Sequence, residues 1–288
     1  MRVVLCPNPY RDAGLKTTLA ARDILNQVGI ETEIALPFDL EAVRRRELPQ
    51  ELYYCDLDEA LEDADMLVCF GGDGTLLHSA KHAVRNAVPI LGVNIGSVGF
   101  MAELERGDLK QLTKLSTGDY TTERRMMLDV KVRRGDRIVF HDVALNDAAI
   151  TKGAVARVID INICGDGVLI AEYSGDGVVI SSPTGSTGYS LSAGGPIVEP
   201  TAENLIVTPI CAHSLRVKPL VLDKSRTVSV RTGREAHKSA YLSVDGGKAF
   251  RLNGGDTVET SNSAQHTTLV RLTGKSFYRI VYQKLGKA

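Results

Sequence analysis

Residues 68 to 77 read VCFGGDGTLL, an apolar run that passes into Gly71, Gly72, Asp73, Gly74 and Thr75 where a helical pattern begins. A helix that starts at the carboxyl end of a strand leaves its first N–H groups unpaired, and its dipole favours negative charge there. Such a junction can receive a phosphate. The glycines let the backbone approach an anion closely and adopt positive φ if an anion-binding concavity needs it, and Thr75 is expected to cap the helix. An aspartate at a phosphate site repels the ligand unless it binds a metal or takes a proton, so Asp73 is the candidate for chemistry. The alternative is a tight strand-to-helix turn with Asp73 as a capping residue.

A second polar cluster is YSGDGVVISSPTGSTGYSLSAGGPIVEP, residues 173 to 200. It combines Asp176, Ser181, Ser182, Thr184, Ser186, Thr187, Tyr189, Ser190 and Ser192 with glycines and prolines, a composition that builds no core. Preceded by the Val178–Ile180 strand pattern, it reads as a folded loop whose hydroxyls and backbone amides suit a neutral ligand with many hydrogen-bonding edges, such as a nucleoside. A flexible surface loop is the other reading. Asn146 and Asp147 follow the apolar Val143–Leu145 and set an amide beside a carboxylate, suited to an adenine edge or ribose hydroxyls.

Other motifs fail on spacing. Gly274, Lys275 and Ser276 end like a P-loop, but Leu269 stands where its first glycine belongs and no helix pattern is read after it. No G-x-G-x-x-G follows the first strand. In TGSTG, Thr184 occupies the place of the first glycine of a nucleophile elbow. His78 and His82 are four residues apart on a helix pattern, but H-S-A-K-H lacks the glutamate of a zinc-protease motif, so a helix-surface pair is expected.

The elements that must position these residues belong to a chain of 288 residues with formal net charge −1 and 43% hydrophobic residues. It is long enough for one large or two smaller domains, and no global field draws it to nucleic acid or anionic lipid. The run Arg44, Arg45 and Arg46 sits next to Glu41 and Glu47 and reads as a solvated helix face or loop. No apolar stretch reaches the roughly 20 residues of a membrane span, and Pro7 and Pro9 interrupt any signal-like start, so a cytoplasmic protein is expected. Cys6, Cys55, Cys69, Cys164 and Cys211 show no C-x-x-C spacing and are read mostly as small core residues. Strand patterns at 2–6, 30–36, 66–70 and 89–94 alternate with helix patterns at 75–85 and 108–115. An earlier helix has Ala20, Ile24, Leu25 and Val28 on one face and Gly29 at its end. This alternation predicts a parallel sheet covered on both faces. Beyond about residue 121 short strands take over. IDINICGDGVLIAEY reads as a hairpin turning at Gly165–Asp166–Gly167, and strand textures continue over 217–231 and 239–258. The tail TLVRLTGKSFYRIVYQKL could complete this β-rich region or return to the first.

In family order, GGDGTLL (71–77), NIGSVGF (94–100), LND (145–147), GDGVVISSPTGSTGYSLSAGGP (175–196), HSL (213–215) and DG (245–246) make the chain resemble an NAD kinase. GGDG alone is shared with lipid and sugar kinases, whereas the long hydroxyl and glycine block is specific. The resemblance implies an α/β N-terminal domain with a parallel sheet, over 1–123 plus 264–288, and an all-β, β-sandwich-like C-terminal domain over 124–263. It implies NAD and ATP, or polyphosphate as donor, as substrates and a homotetramer or dimer.

Carried over by position, Asp73 would be the general base on the 2′-hydroxyl of the adenosine ribose. Gly71, Gly72, Gly74, Thr75 and His78 would face the donor phosphates. Asn146 and Asp147 would hold ribose and adenine groups and Asp176 the nicotinamide end. Thr184, Thr187, Gly188, Tyr189, Ser190, Leu191, Ser192, Arg157 and Gly74 would meet the rest of NAD, with Phe100 as an apolar wall. Asp147 departs from the family's usual glutamate, Gly188 from alanine and Gly247 from glutamine. Phosphoryl transfer through a loose transition state needs the hydroxyl proton to leave only late, so a weak base such as aspartate suffices. Mg²⁺ is expected to come with the donor phosphates and waters, without a protein metal cage. A lipid or sugar kinase sharing only the glycine loop, and a dinucleotide sensor without turnover, are the competing readings.

Overall fold

A computed structural model describes residues 1–36, 48–96, 99–153, 157–233 and 239–286. Arg44, Arg45 and Arg46 lie outside the described residues. The chain divides into two compact units, Met1–Arg124 with Thr267–Ala288, and Arg125–His266.

The first unit alternates β1 (Arg2–Pro7), α1 (Lys16–Gln27), β2 (Glu31–Leu36), β3 (Cys55–Asp56), α2 (Leu57–Leu61), β4 (Met66–Gly71), α3 (Asp73–Arg85), β5 (Ile90–Asn94) and β6 (Leu104–Glu105). Its strands pair in parallel, in the order β3, β2, β1, β4, β5, with β6 beside β5. Successive residues of β1 are buried on opposite faces. Val3 and Leu5 pack in the cluster with Leu25 of α1, whereas the Cys6 thiol meets Ser79 of α3 at 3.4 Å. The parallel sheet is therefore clad on both sides, as the continuous apolar strands require.

The chain leaves β1 toward β2 on one side and later places β4 on its other side. The carboxyl ends of β1 and β4 thus form a topological switch point, where open α/β sheets bind ligands. Two expectations are corrected here. Ala20 of α1 is exposed, and the buried face runs through Thr18, Ala21 and Leu25 instead, one residue round the helix. The 108–115 pattern is a 3₁₀ helix over Arg106–Thr113 followed by a short α-turn, Lys114–Thr117. Gly29, at φ +77°, follows the α1 C-cap Val28 and ends the helix in the left-handed conformation that favours glycine.

The second unit contains β7 (Thr121–Arg134, entering from the first), β8 (Arg137–Ala144), β9 (Asp147–Lys152), β10 (Ile159–Gly165), β11 (Val168–Gly175), β12 (Gly177–Ser181), β13 (Asn204–Ile210), β14 (Leu220–Asp223), β15 (Val228–Thr232), β16 (Ala240–Val244), β17 (Phe250–Leu252) and β18 (Thr257–Arg271). One antiparallel sheet runs β14, β13, β12, β9, β16, β17. The other strands pair as β11, β10, β15, β18 and as β7 with β8 and β18. Ile150, Val178, Ile180 and Val207 from the first set share one core with Leu128, Val130, Ile161 and Val230 from the second, which makes the unit a sandwich. The β10–β11 hairpin turns through Asp166 and Gly167, both at positive φ, as a two-residue turn between twisted strands requires.

The tail divides between the two textures. Leu269 of β18 pairs in parallel with Ile90 of β5, and a C-terminal helix (Phe277–Leu285) follows Ser276. A helix therefore does follow Gly274–Ser276, against expectation. Its aromatic and β-branched residues gave it a strand texture in sequence. Leu269 in place of the first glycine still separates this segment from a P-loop. The cysteines are also more varied than expected: Cys6 and Cys69 are buried, Cys55 and Cys164 half-buried and Cys211 exposed.

The β4–α3 junction depends on close packing at Gly71, where a Cβ would lie 2.1 Å from the buried Thr75 hydroxyl oxygen. Gly71→Ala is expected to destabilise the protein by about 1–3 kcal/mol. Thermal melting should show the midpoint lowered by several degrees, and an unchanged midpoint would mean that the junction relaxes freely.

Candidate functional site

Asp73 is the first residue of α3, which begins two residues earlier than its periodicity predicts. Gly72 is the N-cap, and its carbonyl accepts from the N–H groups of Thr75 (3.0 Å) and Leu76 (3.3 Å). Thr75 is therefore inside the first turn and not its cap. Its hydroxyl accepts from the Asn8 amide nitrogen at 3.1 Å, tying α3 to the end of β1. None of Gly71, Gly72 and Gly74 has positive φ, because the chain passes directly from strand to helix. Among the described residues, no atom beyond the chain neighbours and the helix's own backbone would lie within 4 Å of a Cβ at Gly72 or Gly74, so space is open beside them.

The Asp73 carboxylate is gripped from the opposite side. Phe100 N–H donates to Oδ2 at 2.8 Å and Met101 N–H to Oδ1 at 3.2 Å. Gly99 lies so close beneath that a Cβ there would be 2.2 Å from Oδ1. A cavity of about 290 Å³ opens over this arrangement, lined by Asn8, Arg11, Gly72, Asp73, Gly74, Thr75, Gly99 and Lys284. Lys284 Nζ also sits 4.2 Å from the centroid of the Phe100 ring. The cavity thus combines one carboxylate with two cationic side chains and helix N-terminal amides, a setting matched to a polyanion with a proton acceptor beside it.

His78 is exposed one turn along α3, its ring stacked 5.8 Å from that of His82. Partial burial and then the charge of His82 hold its pKa below the ordinary histidine value. His82 in turn bonds Asp58 at 2.7 Å, which makes the pair part of the α2–α3 contact. Among the described residues no group of three or more His, Cys, Asp and Glu side chains is arranged to hold a metal.

In the second unit, Asn146 and Asp147 lie at the start of β9, on a turn clamped by Asp245. The Asp245 carboxylate accepts from the N–H groups of Leu145 (2.8 Å), Asn146 (2.8 Å) and Asp147 (3.0 Å). Asn146 Oδ1 is buried and has no hydrogen-bond partner among the described residues, which costs energy unless a ligand donor meets it. The Asp147 side chain is buried, and burial followed by the charge of Asp245 raises its pKa to about 7.

Around this turn folds the 182–195 loop. Many of its hydroxyls secure the loop itself. Ser182 donates to Leu145 O, Ser186 bonds both the N–H and the carbonyl of Val198, Ser190 pairs with Thr208 at 2.8 Å and Thr187 donates to Thr184 O. Thr184 accepts from the buried Arg125 at 3.3 Å. Tyr189 and Ser192 are exposed, Thr187, Gly188 and Leu191 partly so, and Arg157 is exposed on a separate segment. Asp176 is held by Lys152 at 2.7 Å. At Gly188 a methyl would come 3.3 Å from both Asn146 Nδ2 and Gly185 O, so the glycine leaves room beside the asparagine.

Arg11 and Lys284 escaped the sequence reading because nothing local marks them; only tertiary placement brings them beside Asp73. Asn8 was findable, since it directly follows a buried strand ending at a carboxyl edge.

A family model described as the ATP-NAD kinase N-terminal domain matches residues 26–120, and one described as the ATP-NAD kinase C-terminal domain matches 145–272. An NAD kinase of Acetivibrio thermocellus is 34% identical over 286 residues, covering 99% of this chain and 97% of its own. The chain belongs to the NAD kinase family. Within that family an NAD kinase of Geobacter metallireducens is 43% identical over 229 residues, 79% of this chain and 81% of its own. The solved structure of yeast NADH kinase complexed with NADH matches with a TM-score of 0.85 and 26% identity, covering 100% of this chain and 88% of that one. An NAD kinase from Archaeoglobus fulgidus in complex with ATP shares the fold, with a TM-score of 0.75, 24% identity and full coverage of both chains.

A carboxyl with a raised folded-state pKa binds a proton that the unfolded chain has released, so stability falls as pH rises from about 4 through 7. Asp147→Asn should remove this loss. The melting temperature of the variant relative to the natural protein should climb between pH 5 and pH 8, by an amount corresponding to about 3 kcal/mol. A difference independent of pH would show that Asp147 does not titrate in this range.

Proposed function

We propose that the protein is an NAD kinase that transfers the terminal phosphoryl group of ATP, or of polyphosphate, to the 2′-hydroxyl of the adenosine ribose of NAD, giving NADP. Family membership supports the reaction class. The observation that carries the residue assignments is the Asp73 carboxylate, presented by two amides into a cavity that also holds Arg11, Lys284 and the first turn of α3.

In this reading the 2′-oxygen attacks the terminal phosphorus, a new O–P bond forms, and the bond to the bridging oxygen of the donor breaks. The hydroxyl proton passes to Asp73, and the donor leaves as ADP or shortened polyphosphate. Arg11 and Lys284, with the bare backbone at Gly72 and Gly74, meet charge on the donor phosphates. Asn146 Oδ1, buried and without a partner among the described residues, accepts from the adenine or ribose of the acceptor, beside Asp147. Phe100, Asp176, Thr184, Thr187, Gly188, Tyr189, Ser190, Leu191, Ser192 and Arg157 complete the acceptor set, and Gly71, Thr75 and His78 the donor set, on the family resemblance.

A divalent cation fits as part of the donor. Among the described residues Asp73 is the only carboxylate lining its cavity, so the phosphates and water would supply most of the ligands. When bound, the cation would neutralise charge on the transferring phosphoryl group. The family resemblance supports a homo-oligomer, and a cytoplasmic location belongs to the same proposal. No helix among the described residues is long and apolar enough to cross a membrane.

Asp73→Asn keeps the amide contacts possible at one oxygen and removes the proton acceptor. NADP formation should fall at least 100-fold, a size ordinary for a lost general base, while the Kd for NAD measured by calorimetry stays within about threefold. Turnover at the natural rate in this variant would remove Asp73 from the chemistry.

A further inference from the structure

The two amides that hold Asp73 belong to a loop with no regular structure of its own, and something must fix it. Glu103, three residues on, is 1% exposed. Its backbone N–H donates to Gly92 O on β5 at 2.9 Å. Its Oε1 accepts from Leu272 N (3.0 Å), Thr273 N (2.6 Å) and the Thr273 hydroxyl. Arg271 completes the connection. Its Nη1 donates to the Met101 carbonyl at 3.2 Å and to Glu103 Oε2 at 3.3 Å, while Nε donates to Glu123 at 3.0 Å. Met101 therefore binds Asp73 through its N–H and Arg271 through its carbonyl.

We propose that Arg271, braced by Glu103 and Glu123, is a positioning residue for the phosphoryl transfer. It acts by fixing the Phe100–Met101 backbone whose amides aim the Asp73 carboxylate. The planar guanidinium suits this task, because it reaches three acceptors in a fixed geometry that a lysine ammonium does not reproduce. The Arg271 side chain is 14% exposed and lines neither the Asp73 cavity nor the neighbouring one bounded by Gly99, Glu105 and Arg279, so its effect is transmitted through the loop. The inference rests on Asp73 being the base, and its test must separate the two.

The experiment compares Arg271→Met, Arg271→Lys and Asp73→Asn in steady-state NADP formation, with the Arg271→Met/Asp73→Asn double variant. Arg271→Met should lower kcat by about 10- to 100-fold, the scale of a small misplacement of a reacting group, with KM for NAD and ATP changed less than threefold. Arg271→Lys, which retains a donor for Met101 O, should recover part of that loss. In the double variant, the Arg271 change should add less than threefold to the loss caused by Asp73→Asn. A kcat within twofold of the natural enzyme in Arg271→Met, or fully multiplicative losses in the double variant, would overturn the positioning role while leaving Asp73 as base. An active Asp73→Asn would instead defeat the underlying reading. If Arg271→Met does not fold, Arg271→Met/Glu123→Gln neutralises one of the two carboxylates that Arg271 bonds, and the same split of kcat from KM decides.

Discussion

The first unit is organised around a carboxylate placed where a helix begins and a strand ends. Asp73 alone would be drawn to its own helix N-terminus as an ordinary cap. Instead its two oxygens accept from Phe100 and Met101, on the loop that follows β5. The loop can come this close because Gly99 has no side chain. Gly72 and Gly74 line the cavity, and the carboxylate lines the same space beside them. One constraint thus holds the carboxylate beside the glycine backbone without letting it cap the helix, the arrangement on which the proposed roles of both depend.

The rest of the unit sustains that constraint. The order β2, β1, β4 opens the switch point in which the glycines sit, and Asn8 ties the end of β1 to the first turn of α3. The segment after β18 supplies donors that Glu103 collects. The second unit repeats the logic with a different acceptor. Asp245 gathers three consecutive amides at residues 145–147, which fixes the turn that carries Asn146 and the buried Asp147.

Much of this was legible from sequence. The strands 2–6, 66–70 and 89–94 carry continuous apolar runs that a doubly covered parallel sheet demands, and the hairpin at 165–167 announces itself through Gly-Asp-Gly. Asp73 was legible because a carboxylate among glycines conflicts with the anion site it interrupts. The start of α3 was not, since Gly72 and Asp73 have no helical propensity to mark it. The C-terminal helix escaped because Phe277–Leu285 is rich in residues that favour strands, and packing overrides that preference. The hydroxyl block reads as a folded loop suited to a ligand, and within it Ser182, Ser186 and Ser190 are buried; composition cannot tell a loop's internal bonds from its outward ones. Arg11, Lys284 and Arg271 reach the Asp73 neighbourhood across large sequence separations, which no local pattern encodes.

The central claim is that Asp73 receives the proton of the acceptor hydroxyl while remaining gripped by the Phe100 and Met101 amides. A crystal structure of the protein with NAD and a non-hydrolysable ATP analogue tests this most directly. The account predicts an Asp73 oxygen within about 2.6–3.2 Å of the adenosine 2′-hydroxyl, with both amide contacts retained and the analogue's phosphates against Gly72 and Gly74. A dinucleotide whose adenosine ribose lies away from Asp73, or a carboxylate turned out of the cavity, would contradict it.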